Sequence, residues 1–495
     1  MSDAVPLRRE TAPGAASPGP APSGVAAAPP PLPLDTPDRA ETLLSSLALP
    51  LVRWLPQQRW FAGKGSPVTG LTPVTAVDLL PVRPTGTAPG LIHLLVRARQ
   101  SGTGSDDCYQ LLLGVRPVLP PHLAPALVGR PVDGPLRGLA VYEALADPRL
   151  TGLLLERLRV PGRLGPLRFA REPHADLSAG LAPRLLGAEQ SNSSVVYGDT
   201  YILKLFRRVG PGVNPDLELP RALARTGCVR VPAPAAWFEA EPPDAAEPMT
   251  LGVLQPFLPG SADGWRLALD ALAAGTGFTD SARALGQATA EVHRALAAAL
   301  PTVDLDAARL ERIAAAMRRR LDVTAEAVPA LRPYRDALRA AYDELTRPPG
   351  PGRPRHAQRI HGDLHLGQAL RTAADGRWSI IDFEGEPARP LAERRRPQPV
   401  EQDVAGMLRS FDYAAAVGRA AGTDWAPRAR EAYCDGYAAA HRDPREDGPL
   451  LHAQETDKAV YEVLYEARHR PDWLPVPLSA IRRLAERADG GRRRP

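Results

Sequence analysis

Ile360-His361-Gly362-Asp363-Leu364-His365-Leu366-Gly367-Gln368, followed by Ile380-Ile381-Asp382-Phe383-Glu384-Gly385-Glu386, is the stretch that decides how this chain is read. Asp382 lies nineteen positions beyond Asp363, with Gln368 between them. Phosphoryl transfer from ATP needs one carboxylate to orient a hydroxyl nucleophile and oxygen ligands to hold magnesium against the phosphates. Asp363 fits the first role, as the base. Asp382 and the amide oxygen of Gln368 fit the second, because magnesium is a hard cation that takes few protein carboxylates. The apolar flanks at Ile360 and Ile380-Ile381 read as strand ends delivering both acids to one cleft.

Working backwards, residues 182 to 206 read as strand, loop, strand, turn, strand, the hairpin order that covers nucleotide phosphates in kinases. The loop has no G-x-G-x-x-G, and Ser191, Asn192 and Ser193 would supply backbone and side-chain donors in its place. Lys204 sits within the alternating strand Tyr201-Ile202-Leu203-Lys204-Leu205-Phe206 and requires a partner if buried. Glu218, on the helix opened by Asn214-Pro215, is the expected partner, and such a pair orients the α- and β-phosphates. The run 251–260 breaks at proline and reads as the hinge strand beside adenine.

Forward of the acids, residues 400–417 read as a helix, and a further helix carries Lys458, Tyr461, Tyr465 and Arg468 on one face. That face is read two ways, as a half-buried packing stripe or as an aromatic platform for a sugar.

The quoted motifs resemble the kinase-like small-molecule phosphotransferases, the group containing aminoglycoside and choline kinases. Gly362 stands where protein kinases carry Arg, Gln368 replaces their Asn, and Glu384 replaces the glycine of Asp-Phe-Gly. The resemblance sharpens with Pro387 after Glu386, with Asp403-Val404-Ala405-Gly406-Met407-Leu408-Arg409-Ser410-Phe411-Asp412-Tyr413, and with Leu55-Pro56-Gln57-Gln58-Arg59-Trp60-Phe61-Ala62-Gly63-Lys64-Gly65. These look like the bacterial maltokinases, across about residues 55 to 472. The resemblance implies an α+β, bilobal protein-kinase-like fold with a β-rich N-terminal cap and ATP lobe and a helical C-terminal lobe. It implies ATP-dependent phosphorylation of maltose to maltose 1-phosphate, with Mg2+, feeding α-glucan (glycogen) synthesis, and trehalose synthase as an associated enzyme. It favours the sugar-platform reading, with His365, Arg409, Lys458, Tyr461 and Tyr465 on the acceptor side. Two rivals stand beside it: a kinase for an amino sugar or aminoglycoside, and an inactive sugar- or nucleotide-binding regulator. A polycationic aminoglycoside calls for a strongly acidic site, whereas the stretch near Arg394 is basic.

The chain of 495 residues divides into a disordered Pro/Ala-rich tail (1–38), a cap region (39–180), an ATP-binding region with hinge (181–262), and a helical lobe with the catalytic and acceptor motifs (263–495). Leu43, Leu44, Leu47 and Leu51 predict a helix over 39–55. Trp60 and Phe61 read as packing anchors, since the glycines after them do not complete a G-x-x-x-x-G-K-[ST] loop. Net charge is +5, without a basic stripe interleaved with aromatics, which excludes a nucleic-acid partner. Cys108, Cys228 and Cys434 form no Cys-x-x-Cys pair, no apolar run reaches the roughly 18 residues of a membrane span, and no leader is evident. The expected location is cytoplasmic.

Overall fold

The computed structural model describes residues 37–492 apart from 64, 84–86, 102–105, 188–190, 243–245, 348–353, 388 and 421. The tail read as disordered lies, except for its last two residues, outside the described residues.

Helix α1 (Pro37–Trp54) buries Leu43, Leu44, Leu47 and Leu51, as their spacing predicts. It lies on an antiparallel sheet of β1 (Val68–Leu80), β2 (Gly90–Gln100), β3 (Asp107–Arg116), β4 (Leu127–Gly129) and β5 (Ala140–Glu143), ordered β1-β2-β3-β5-β4. Strand β2 is apolar from Leu91 to Val96, His93 excepted, because both of its faces are covered there. Ile92, Leu94 and Val96 pack with α1, and Leu91 and Leu95 pack toward a second sheet.

Helix α2 (Pro148–Arg159) leads to β6 (Gly162–Leu164), β7 (Leu167–Arg171), β8 (Pro183–Leu185), β9 (Asn192–Tyr197) and β10 (Tyr201–Phe206). Strand β11 (Arg208–Val209) then pairs with β3 of the first sheet, stitching the two together. Helix α3 (Pro215–Arg225), β12 (Ala236–Ala240) and β13 (Met249–Pro256) complete this part. The second sheet runs β6-β7-β12-β13-β10-β9-β8, so the three-stranded hairpin read from the sequence is present at one edge. Strands β6 and β7 join it through β12, so the sheet reaches back across the boundary expected at residue 181.

The remainder is mainly helical: β14 (Ala262–Asp263), α4 (Gly264–Ala273), α5 (Thr279–Ala299), β15 (Val303–Asp304), α6 (Ala307–Ala327) and α7 (Arg335–Leu345) come first. Then follow β16 (His356–Ala357), β17 (Ala369–Arg371), β18 (Trp378–Ile380), α8 (Leu391–Arg394), α9 (Glu401–Val417), α10 (Trp425–Ala438), α11 (Gly448–His469) and α12 (Pro475–Arg492). One apolar core joins α4, α5, α9 and α10, and another joins α6, α7, α11 and α12. The loop holding Asp363 lies between β16 and β17, and Asp382 lies two residues beyond β18; Ile360 itself ends no strand. Among the described residues no helix is long and apolar enough to cross a membrane.

Candidate active site

The loop before β17 is fixed by buried hydrogen bonds. Asp403, in the first turn of α9, accepts the backbone N–H groups of His361 and Gly362, each at 2.8 Å, and pairs with His293 on α5 at 3.0 Å. The His361 ring donates from Nε2 to the Ile381 carbonyl at 2.8 Å, which ties the first motif to the second. Gly362 has φ of 86°, a left-handed conformation that a side chain resists, so the kinase arginine position is glycine for a backbone reason. A Cβ at Gly406 would lie 2.5 Å from the Leu364 carbonyl oxygen, so α9 presses directly on the loop.

Asp363 Oδ1 lies 3.0 Å from Lys458 Nζ on α11. Burial works to raise the Asp363 pKa, but Lys458, with His365 and His361, outweighs it and holds the carboxyl below the usual carboxylate range. Asp382 has φ of 67°, a strained conformation for a residue with a side chain, of the kind that clusters at active sites. Its Oδ2 accepts the Gln368 amide N–H at 2.8 Å, and its Oδ1 contacts Lys204.

Lys204 Nζ also lies 2.8 Å from Asp216 and 2.7 Å from Glu384. Burial would strip its proton, but Asp216, Asp382 and Glu384 hold it well above the usual lysine range. The partner on α3 is therefore Asp216 and not Glu218, which turns to Arg359 at 2.6 Å. Residues two apart on a helix do not share a face, so only one of these acids can look into the cleft. Asn214 caps the helix through the Asp216 N–H at 2.9 Å and sets which one. The other Asp216 oxygen accepts the Phe383 N–H at 2.7 Å, bracing the second motif from below.

Of the expected phosphate-loop residues, Asn192 donates to Glu384, Ser193 accepts from Arg207 at 2.8 Å, and Ser191 is exposed. Arg207 is buried under the Trp60 ring, 4.9 Å from its centroid, and pairs with Glu143 at 3.1 Å. Arg59 donates to the Gly187 carbonyl at 3.1 Å. Arg59 thus reaches the carbonyl of Gly187, and Trp60 stacks on the arginine that holds Ser193 in β9.

A cavity opens beside Asp363, with Gly362, Leu364, Gln402 and Gly406 in its wall. Three ion pairs line it: Lys458–Asp363, Arg320–Asp457 at 3.1 Å and Arg389–Glu386 at 2.6 Å. Asp457 Oδ1 is buried and has no hydrogen-bond partner among the described residues, and burial pushes this carboxyl up. Tyr461 forms part of the wall.

Two regions of the chain match known families: residues 54–147 the maltokinase N-terminal cap domain, and residues 181–447 the phosphotransferase enzyme family. The chain belongs to the phosphotransferase enzyme family. It is 34% identical over 331 residues to a glucosamine kinase from Streptacidiphilus jiangxiensis, covering 60% of this chain and 73% of that one. It is 32% identical over 329 residues to a glucosamine kinase from Mycolicibacterium smegmatis, covering 61% and 79%. A solved glucosamine kinase in complex with glucosamine, ADP and inorganic phosphate superposes with a TM-score of 0.62 at 26% identity, covering 84% of this chain and 94% of that one. The bilobal, kinase-like fold expected from the motifs is the fold of this phosphotransferase.

Other acceptor-side expectations divide. Lys458 and Tyr461 line the phosphotransferase's cavity, whereas Tyr465 and His365 lie outside its wall. His365 Nδ1 accepts the Gly367 N–H at 3.0 Å and caps the turn leading to Gln368. Tyr461 and Tyr465 stack at 6.1 Å, Lys458 lies 5.2 Å from the Tyr461 centroid, and His469 stacks on Tyr465 at 4.6 Å. The rings therefore face one another and neighbouring side chains. Arg409, expected on the acceptor side, is not in the cavity wall. It is buried, with 1% of its side chain exposed, and donates to Glu462 and Asp412, so it cannot meet an acceptor.

Sequence reasoning missed Asp216, Arg59, Arg207, Arg320, Arg389 and Asp457 as site residues. Asp457 had a signal, as the acid next to Lys458 on the same helix. Arg320 had none, because its position in a long Arg-rich helix looks solvated.

Proposed function

We propose that this phosphotransferase moves the γ-phosphoryl group of ATP onto a hydroxyl of a small amino sugar, with glucosamine as the leading acceptor. The observation that carries this reading is Asp457 Oδ1, a buried acceptor without a partner in the wall of a cavity that also presents Asp363 and Glu386. A buried unpaired carboxylate oxygen is costly until a donor reaches it, and an ammonium group satisfies it best. Each of the three acids is already paired with a cation, so the cavity suits a monocation rich in hydroxyls and not a polycationic aminoglycoside. The similarity to proteins named glucosamine kinase supports the same choice.

In the reaction, the acceptor hydroxyl donates to Asp363, which takes its proton as the oxygen attacks the γ-phosphorus and ADP departs. Lys204, held by Asp216, meets the nucleotide phosphates from the β10 side. Asp216, Asp382 and Glu384 bring carboxylate oxygens within 4.8 Å of one another, a hard donor set that fits magnesium. Asp216 is buried and braces Lys204 and the Phe383 N–H, whereas Asp382 and Glu384 are half-buried and would hold the ion, with Gln368 orienting Asp382. Bound magnesium would supply charge neutralisation at the phosphates.

A second reading, phosphorylation of maltose, is favoured by the match of residues 54–147 to the maltokinase N-terminal cap domain. With it would come a product for α-glucan synthesis, a link to trehalose synthase and a cytoplasmic location. ADP release measured with glucosamine, maltose and a kanamycin-type aminoglycoside separates the readings. Glucosamine should give the highest kcat/KM, and Asp457→Asn should raise its KM by about 10- to 100-fold, the loss of a charge-assisted hydrogen bond. A higher kcat/KM for maltose, unaffected by Asp457→Asn, would replace the first reading with the second.

A further inference from the structure

We propose that Lys458 is a catalytic cation of the phosphoryl transfer, contacting the moving phosphoryl group from the acceptor side, and not an acceptor-binding residue. This rests on the reading of Asp363 as the base, and on no particular sugar.

Phosphoryl transfer spreads negative charge over the equatorial oxygens of the moving group, and enzymes meet that charge with lysine, arginine or metal clamps. On the nucleotide side Lys204 is surrounded by Asp216, Asp382 and Glu384. On the acceptor side the loop around Asp363 offers no free cation. His361 is bonded to the Ile381 carbonyl, and His365 is turned to cap the following turn. The positive charge at Asp363 is instead brought by α11, 95 residues further on, as Lys458 at 3.0 Å.

Three details favour the phosphoryl group over a sugar hydroxyl. The Lys458 Nζ is bonded to the base itself, so it lies next to the oxygen that base activates. An ammonium group has three donors, and one is given to Asp363, leaving others for oxygens arriving at the same point. The Tyr461 ring, 5.2 Å away, stacks against the charge on one side and limits where Nζ can point. During transfer the bond from γ-phosphorus to the ADP oxygen breaks and the bond to the acceptor oxygen forms. The hydroxyl proton passes to Asp363, and Lys458 keeps its own protons throughout.

The test uses the full chain and whichever sugar it turns over, so failure of the amino-sugar reading leaves it intact. Lys458→Met should lower kcat about 10²- to 10³-fold, as does loss of one preorganised donor elsewhere, with acceptor KM changed less than about threefold. Lys458→Arg should recover part of kcat, and it keeps the test valid if the methionine variant folds poorly. The double variant Asp363→Asn/Lys458→Met should be slower than Asp363→Asn alone, because Lys458 acts on the phosphoryl group as well as on the base. A raised acceptor KM with kcat unchanged would overturn the proposal in favour of sugar binding. A double variant no slower than Asp363→Asn would overturn it in favour of a counter-ion serving Asp363 alone.

Discussion

Asp216 shows what a single residue decides in this site and what the sequence conceals about it. The acids of the two motifs were legible because their partners are neighbours in the chain: Gln368 and Asp382 belong to one short reading frame, and they meet at 2.8 Å. The partner of Lys204 was not, because two acids stand in the first turn of α3 and the choice depends on the helix phase. That phase is set by the Asn214 cap, after which Asp216 looks inward and Glu218 outward. Asp216 also carries the Phe383 N–H, so it supports both Lys204 and the strained Asp382. Outer-shell carboxylates of this kind typically alter activity about 10- to 100-fold. Asp216→Asn should therefore lower kcat/KM for ATP by that factor, while Glu218→Gln leaves ATP kinetics near the parent. Steady-state kinetics in ATP on the two variants checks the assignment, and equal losses would show that the Arg359 pair matters as much.

The two sheets show the same limit at the level of elements. Strands β2 and β3 were legible as apolar runs between turn residues, but that they cover a second sheet was not, because periodicity does not tell which layer lies beyond. The contact is marked by buried polar groups. His93 on β2 bonds Gln110 on β3 at 3.0 Å, and Gln110 donates at 2.8 Å to the carbonyls of Phe206 and Leu251 in the second sheet's region. His93 is fully buried, and burial lowers its pKa from 6.5 to about 4. Its folded value lies below the unfolded one, so the unfolded chain takes up a proton first as pH falls. The stability held by neutral His93 is complete above pH 6.5 and is lost between there and about 4, amounting to roughly 3 kcal/mol. Urea unfolding at pH 7.5 and pH 5 should show the loss, and His93→Gln, which has no charge to gain, should flatten it. An identical pH dependence in the variant would place the acid sensitivity elsewhere.

Across the whole molecule, the cavity beside Asp363 lies where the two C-terminal cores meet, with Arg320 from α6, Gly406 from α9 and Lys458 from α11 on its wall. Residues so far apart in the chain leave no common motif, which is why the sequence pointed to Asp363 and Asp382 but to only part of the cavity wall beside them. The resemblance puts Arg409 on the acceptor side. It belongs instead to a buried ion network that joins the helices behind the cavity. Arg409 meets Asp412 and Glu462, Arg430 meets Asp412 and Glu455, and Arg483 meets the same two acids. Removing one member of such a network strands its partners as buried charges, at a cost of about 3–5 kcal/mol. Arg409→Met should lower the melting temperature by several degrees and leave the acceptor KM of the folded fraction unchanged. Pairing it with Glu462→Gln should restore part of the loss, because one stranded carboxylate is then gone. A raised acceptor KM at an unchanged melting temperature would return Arg409 to the acceptor site.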